Sequence, residues 1–209
     1  MNQLRRYWRR MAIVLRSRGW RGAARFLWER LVCRRWRSIV YDDPLGAQRT
    51  PSEFPPGYQF LLWLRHAQAL PEIPMRIQQA GGGEFLAELE TQDGIWTILA
   101  PDGRVAAWGG VYFASRQARN LRLPRGAVLL GGDFVHPEFR RRGLHTLALN
   151  EAARLLALQG HAHVCLEVHP SNTASIGGIE KARFRRLREV SLLILFRYLC
   201  LDLSRGSRT

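Results

Sequence analysis

The run Phe134-Val135-His136-Pro137-Glu138-Phe139-Arg140-Arg141-Arg142-Gly143-Leu144-His145-Thr146 has residue types at a spacing that suits chemistry. An apolar stretch stops at Pro137, and helical spacing begins after an arginine-rich turn ending at Gly143. The first turn of a helix has backbone N–H groups without intrahelical partners, and the helix dipole adds partial positive charge. A diphosphate can dock at such a terminus. Gly143 has no Cβ, so a ligand can approach the backbone closely. Arg140, Arg141 and Arg142 add Coulombic attraction.

A second run lies downstream: Leu166-Glu167-Val168-His169-Pro170-Ser171-Asn172-Thr173-Ala174-Ser175, followed by Glu180-Lys181-Ala182-Arg183-Phe184. The separation of the two runs suits one helix and one strand. Three nearby groups could take a proton: Glu167, Asp133 on the stretch before the arginine turn, and His136. An imidazole titrates near neutrality, but His136 sits at the strand end.

These runs need a scaffold. Tyr58 to Leu64 is an apolar strand candidate. Residues 71–92 read as two short helices broken at Gly81 to Gly83. Ile95 to Leu99 and Val105 to Phe113 flank Pro101-Asp102-Gly103, a hairpin signature. Ala127 to Val135 is a strand. Gly143 to Leu158 is a helix, with Leu144, Leu147, Ala148, Leu155 and Leu158 at helical spacing. His163 to Val168 is a strand, Asn172 to Ala182 a short helix, and Phe184 to Tyr198 one or two final strands. The order predicts an α/β (α+β) fold built on a mixed sheet.

The two runs together resemble the GNAT superfamily of acyl-CoA-dependent acyltransferases. Arg140 and Gly143 match the first two fixed positions of its [Gln/Arg]-x-x-Gly-x-[Gly/Ala] motif, while His145 stands where Gly or Ala is usual. The resemblance covers about residues 57–190. It implies a mostly antiparallel sheet with a central splayed strand pair flanked by helices. It implies acetyl-CoA or another acyl-CoA as donor, held by Phe134, Val135, Arg140, Arg141, Arg142, Gly143, Leu144, His145, Thr146, Asn172 and Ser175. The thioester carbonyl would meet a backbone amide near Phe134 to His136. Glu167 resembles the glutamate that serves as base, through water, in bacterial ribosomal-protein acetyltransferases. Asp133 and His136 remain as alternatives. The usual acid, a tyrosine seven residues after the asparagine, is replaced by Ile179. Water, another side chain such as Tyr112, or no acid at all is left for that part, since a thiolate is a fair leaving group. Arg183 replaces the usual glycine before Phe184. Transfer from CoA needs no metal, and the histidines lack ligand spacing.

The chain has 209 residues and a formal net charge of +15, and every basic residue except Lys181 is arginine. The excess predicts attraction to phosphate-bearing partners. No apolar run approaches the roughly 18–20 residues that span a bilayer. Cys33, Cys165 and Cys200 read as free thiols of a reducing cytosol. Residues 1–42 read as a basic amphipathic helical arm, with twelve arginines and four tryptophans before residue 41. The arm suits an anionic membrane surface, packing on the domain, or, less well, nucleic acid. Residues 43–56 read as a proline-rich linker and 57–209 as the catalytic domain.

The acceptor is the least legible part. The expectation is an amine or hydroxyl on a small molecule or on a lipid- or sugar-linked acceptor, at the cytoplasmic face of a membrane. Two alternatives stand: a catalytically impaired CoA-, membrane- or RNA-binding module, and a ribosomal or protein N-acetyltransferase.

Overall fold

The computed structural model describes residue 20 and residues 33–64, 72–88, 94–113, 116–195 and 199–203. The strands are β1 (Cys33–Asp42), β2 (Gln59–Leu64), β3 (Gly94–Leu99), β4 (Val105–Tyr112), β5 (Val128–Val135), β6 (Val164–Val168), β7 (Arg185–Leu195) and β8 (Leu199–Asp202). The helices are α1 (Glu72–Gln79), α2 (Gly83–Glu88), α3 (Arg116–Asn120), α4 (Leu144–Leu158) and α5 (Thr173–Lys181). The chain divides into a larger unit, Ile39–Arg188, and a smaller one formed by Met1–Ser38 with Glu189–Thr209.

In the larger unit the strands run in the order β2-β3-β4-β5-β6-β1. The pairs are antiparallel except β5 with β6. In the smaller unit β7 and β8 form an antiparallel hairpin. The expected mixed, mostly antiparallel sheet is therefore present. The Pro101-Asp102-Gly103 turn joins β3 to β4, with Gly103 at φ +78°.

Each face of the sheet carries its own core, because alternate strand residues point to opposite sides. On one face Trp96, Ile98, Leu130 and Leu166 pack with Leu144, Leu149, Leu156 and Ile179 of α4 and α5. On the other, Ile95, Val105 and Trp108 pack with Ile73 and Ile77 of α1, and with Phe85 of α2. Helix α4 fits its place because Leu144, Ala148, Leu149, Ala152, Ala153 and Leu156 form a buried stripe at helical spacing.

Two readings change. Residues 33–42 are a strand rather than the end of a helical arm, and Ile39 to Asp42 pair with Val168 to Cys165. The β-branched and aromatic run Ile39-Val40-Tyr41 suits a strand with both faces covered, and Val40 and Tyr41 are completely buried. The arm itself, residues 1–32, lies outside the described residues except for Trp20. The segment 43–56 is no bare spacer either. Arg49 and Asp43 form a buried ion pair at 2.9 Å. Arg49 also donates to Asn150 Oδ1 at 2.6 Å and to the Ala182 carbonyl at 2.8 Å. Ser52 is held on α4 through Glu151 and the Leu147 carbonyl.

Candidate active site

The site begins where two strands part. β5 and β6 are paired at Val128↔Val164, Leu129↔Cys165 and Leu130↔Leu166. Beyond Leu130, β5 stays with β4, through Phe134↔Trp108 and Val135↔Ala107. Beyond Leu166, β6 stays with β1, through Glu167↔Val40 and Val168↔Ile39. The strands diverge, and the inner edge of β5 from Gly131 onward has lost the partner that β6 supplied before it. A bulge sharpens the divergence. Between Gly110↔Gly131 and Trp108↔Phe134, β4 spends one residue and β5 spends two, Gly132 and Asp133. Gly132 has φ +67°, which favours glycine.

After β5 the chain makes a short turn, Pro137–Phe139, and enters α4. Phe139 is buried and anchors that turn in the core. Arg141 has φ +62° and Gly143 φ +74°. Gly143 is the N-cap of α4, with no side-chain cap and no acidic residue in the first turn. A Cβ built on Gly143 would meet nothing within 4 Å, so the backbone there faces open space. The first-turn amides and the dipole therefore face that space with no carboxylate of the same turn to compete.

The arginines divide their work. Arg140 donates to the Val135 carbonyl at 3.1 Å and lies over Phe134. Arg142 donates to the Tyr58 hydroxyl at 2.9 Å and lies over Phe139. Arg141 is exposed. Leu144 contributes its amide, since its side chain is buried in the core. Thr146 donates its hydroxyl to the Gly178 carbonyl at 3.2 Å, tying α4 to α5. Asn172 is the N-cap of α5, and its Oδ1 accepts from the Ser175 amide at 3.2 Å. Val135 packs on the α4-side core and Phe134 stacks on Trp108 at 4.5 Å on the other face.

His145 fills the place of the usual small residue. Its Nε2 lies 3.1 Å from Asp133 Oδ2, and both side chains are largely buried. Two glycines make the room. A Cβ on Gly178 would sit 2.6 Å from His145 Nδ1, and one on Gly109 would sit 2.3 Å from Asp133 Oδ1. His145 thus bridges the diverging part of β5 to α5. Sequence reasoning placed Asp133 and His145 separately, because their pairing is purely tertiary.

The three proton-accepting candidates do not converge. Asp133 is tied to His145 on the α4 face. His136 has its backbone amide bonded to the Ala106 carbonyl at 2.9 Å and its ring beside Phe139. That amide is committed to β4, while the edge of β5 without a β6 partner runs from Gly131 through Val135. Glu167 lies on the opposite face. Register shows this: Tyr112, Leu129 and Cys165 stand in one row, and Glu167 is two residues from Cys165. Glu167 is half-buried and accepts a hydrogen bond from Gln117 of α3. Helix α3 was not predicted; five residues rich in arginine and amide carry no apolar period. Ile179 is fully packed in the α4-side core, which explains an apolar residue there.

The model of the Acetyltransferase (GNAT) family matches residues 58–183. The chain belongs to this family. Solved structures share the fold. A Drosophila protein is 15% identical, with TM-score 0.56, over 87% of this chain and 57% of its own. A GCN5-related N-acetyltransferase from Sphaerobacter thermophilus is 16% identical, with TM-score 0.55, over 84% and 56%. A GNAT-family protein from Novosphingobium aromaticivorans is 21% identical, with TM-score 0.51, over 76% and 63%. The match thus spans less than two thirds of each of these chains. No curated protein matches this sequence.

Proposed function

We propose that this chain is an acyl-CoA-dependent N- or O-acyltransferase whose donor lies between β5 and β6. One observation carries the reading: the strands part at Leu130 and Leu166, and the freed strand leads into a glycine-capped helix N-terminus. The gap connects the two faces of the sheet. The diphosphate sits on the α4 face, at the amides of Gly143, Leu144, His145 and Thr146. Arg140, Arg141 and Arg142 supply the surrounding positive potential. Asn172 and Ser175 flank the donor from α5.

Acyl-CoA would supply an activated carbonyl and a thiolate leaving group. The edge of β5 at Gly131 and Gly132 offers backbone N–H groups to that carbonyl, and fixed dipoles of this kind lower the barrier to attack. Glu167, on the far face, takes the proton of the attacking amine or hydroxyl, directly or through water. Gln117 fixes the carboxylate's direction. Asp133 holds His145, which ties β5 to α5 beside the donor; neither faces the acceptor side.

The acceptor, an amine or hydroxyl, enters from the face of α2 and α3. We place the protein at the cytoplasmic side of an anionic membrane, on the strength of the +15 net charge and the arginine-rich residues 1–40. Ile179 also favours a second reading, a CoA-binding module without transfer. The test is a thermal-shift series with CoA, acetyl-CoA and a long-chain acyl-CoA, on wild type and Gly143→Trp. A ligand at 100 times its Kd stabilises by about 2.7 kcal/mol. The expected result is a shift in wild type that the variant lacks. No shift with any of the three ligands in wild type refutes the reading.

A further inference from the structure

This inference rests on the donor site above. The departing thiolate needs a proton, and the family position for the donor of that proton holds Ile179, which is 1% exposed and packed in the core. We infer that Tyr112 supplies the proton, reaching the sulfur from β4 across the glycine bulge of β5.

The geometry is specific. Tyr112 ends β4 on the same face as Glu167, as the register rows show. Its ring lies folded along the strand rather than away from it. A Cβ on Gly110 would stand 2.7 Å from both Tyr112 Cζ and its hydroxyl oxygen. A Cβ on Gly131 would meet Tyr112 Cε2 at 3.8 Å, and one on Gly132 would stand 3.1 Å from the hydroxyl oxygen. Three glycines on two strands therefore clear a bed for one phenol. That bed ends at Gly132, the bulge residue beside the gap. Phe85 of α2 closes the same spot, with Cε2 3.5 Å from the Gly132 Cβ position. Tyr112 and Glu167 thus stand on opposite sides of the divergence, with Gly131 and Gly132 as the floor between them.

The proton balance closes. As the acceptor nitrogen or oxygen bonds to the acyl carbon, the carbon–sulfur bond breaks and its electron pair goes to sulfur. The Tyr112 O–H gives its proton to that sulfur. Glu167 takes the proton of the acceptor. The phenolate is reprotonated from water, and Glu167 returns its proton to water. A phenol carries its proton at neutral pH, so the acid is ready before the donor binds. Cys165, in the same row, does not compete: burial and then the Asp42 carboxylate push its thiol up to about 12, and it is fully buried.

The test uses the full chain and compares CoA with desulfo-CoA, which lacks only the thiol, by calorimetric titration. Wild type is expected to prefer CoA by about three- to tenfold, the worth of one hydrogen bond. Tyr112→Phe is expected to lose that preference while binding desulfo-CoA as wild type does. Equal weakening of both ligands, an undiminished preference in the variant, or no preference in wild type overturns the inference. Binding of neither ligand by wild type removes the donor site itself, and the acid with it. If Tyr112→Phe does not fold, 3-fluorotyrosine at position 112 decides. Its fluorine resonance should move with CoA and stay with desulfo-CoA; identical responses refute the contact.

Discussion

The Arg49–Asp43 pair makes the most quantitative prediction. Both side chains are buried, at 0% and 1% exposure. Arg49 Nε donates to Asp43 Oδ2 at 3.0 Å, Nη2 lies 2.9 Å from Oδ1, and Nη1 reaches Asn150 and the Ala182 carbonyl. The guanidinium also lies 4.6 Å over the Phe184 ring. One side chain thus joins the approach to β2, the middle of α4 and the end of α5. Asp43→Asn keeps the shape and removes the charge, leaving an uncompensated buried cation. Breaking such a pair costs about 3–5 kcal/mol. For a chain of this length each kcal/mol moves the melting temperature by about 2–4 °C. Thermal unfolding followed by circular dichroism should therefore fall by about 6–20 °C. Arg49→Met should cost a comparable amount, and the double variant should cost about 2 kcal/mol less than the sum. Strict additivity, or a single-variant loss under about 1 kcal/mol, would refute the reasoning.

Other expectations follow from contacts already described. Gly178→Ala places a Cβ on His145 Nδ1, so stability should fall by about 1–3 kcal/mol and recover when His145→Ala is added; melting curves of the two variants decide it. Glu167→Gln should lower the rate of CoA release with a competent acceptor amine by about 10²–10⁴-fold, with CoA affinity unchanged by calorimetry. A matched loss of affinity would make the residue structural. Cys165 has its proton held up to about 12, so at about pH 9 only about one thousandth is thiolate. Iodoacetamide followed by peptide mapping should leave it unmodified in the folded protein and label it in urea. The same shift has a sign for stability. The contribution is complete below the ordinary thiol pKa of about 8.5 and is lost as pH rises toward about 12.

What the sequence showed depended on how local each signal was. Helix α4 and the β3–β4 hairpin were legible because their periods, and the Pro101-Asp102-Gly103 turn, lie within one short window. The Gly143-capped start of α4 was legible because a turn and a helix start need only neighbouring residues. Strand β1 was missed because arginine and tryptophan dominate its first half, while its partner β6 lies far along the chain. Arg49 was read as linker because nothing near it announces a carboxylate to be buried with. The His145–Asp133 bridge depends on Gly109 and Gly178 of other elements, and the bed for Tyr112 depends on Gly110 of its own strand and Gly132 of the next. An absent side chain becomes informative only when something is seen to fill its space.

The position of β1 has a consequence for how the chain is made. Asp42 pairs beside Cys165, 123 residues later in sequence. Strand β1 is therefore synthesised well before β6 and must wait for Val164–Val168 before it can pair. Closing so long a loop is slow, since the entropy is lost before the contacts repay it. On the ribosome, Ile39, Val40 and Tyr41 emerge with no partner, as an uncovered apolar edge of the kind chaperones bind. Strand β1 gains its partner only when β6 leaves the exit tunnel, and Glu167's surroundings are completed no earlier. A nascent chain stopped before residue 164 would hold the turn before α4 but not β6, the second strand of the divergence.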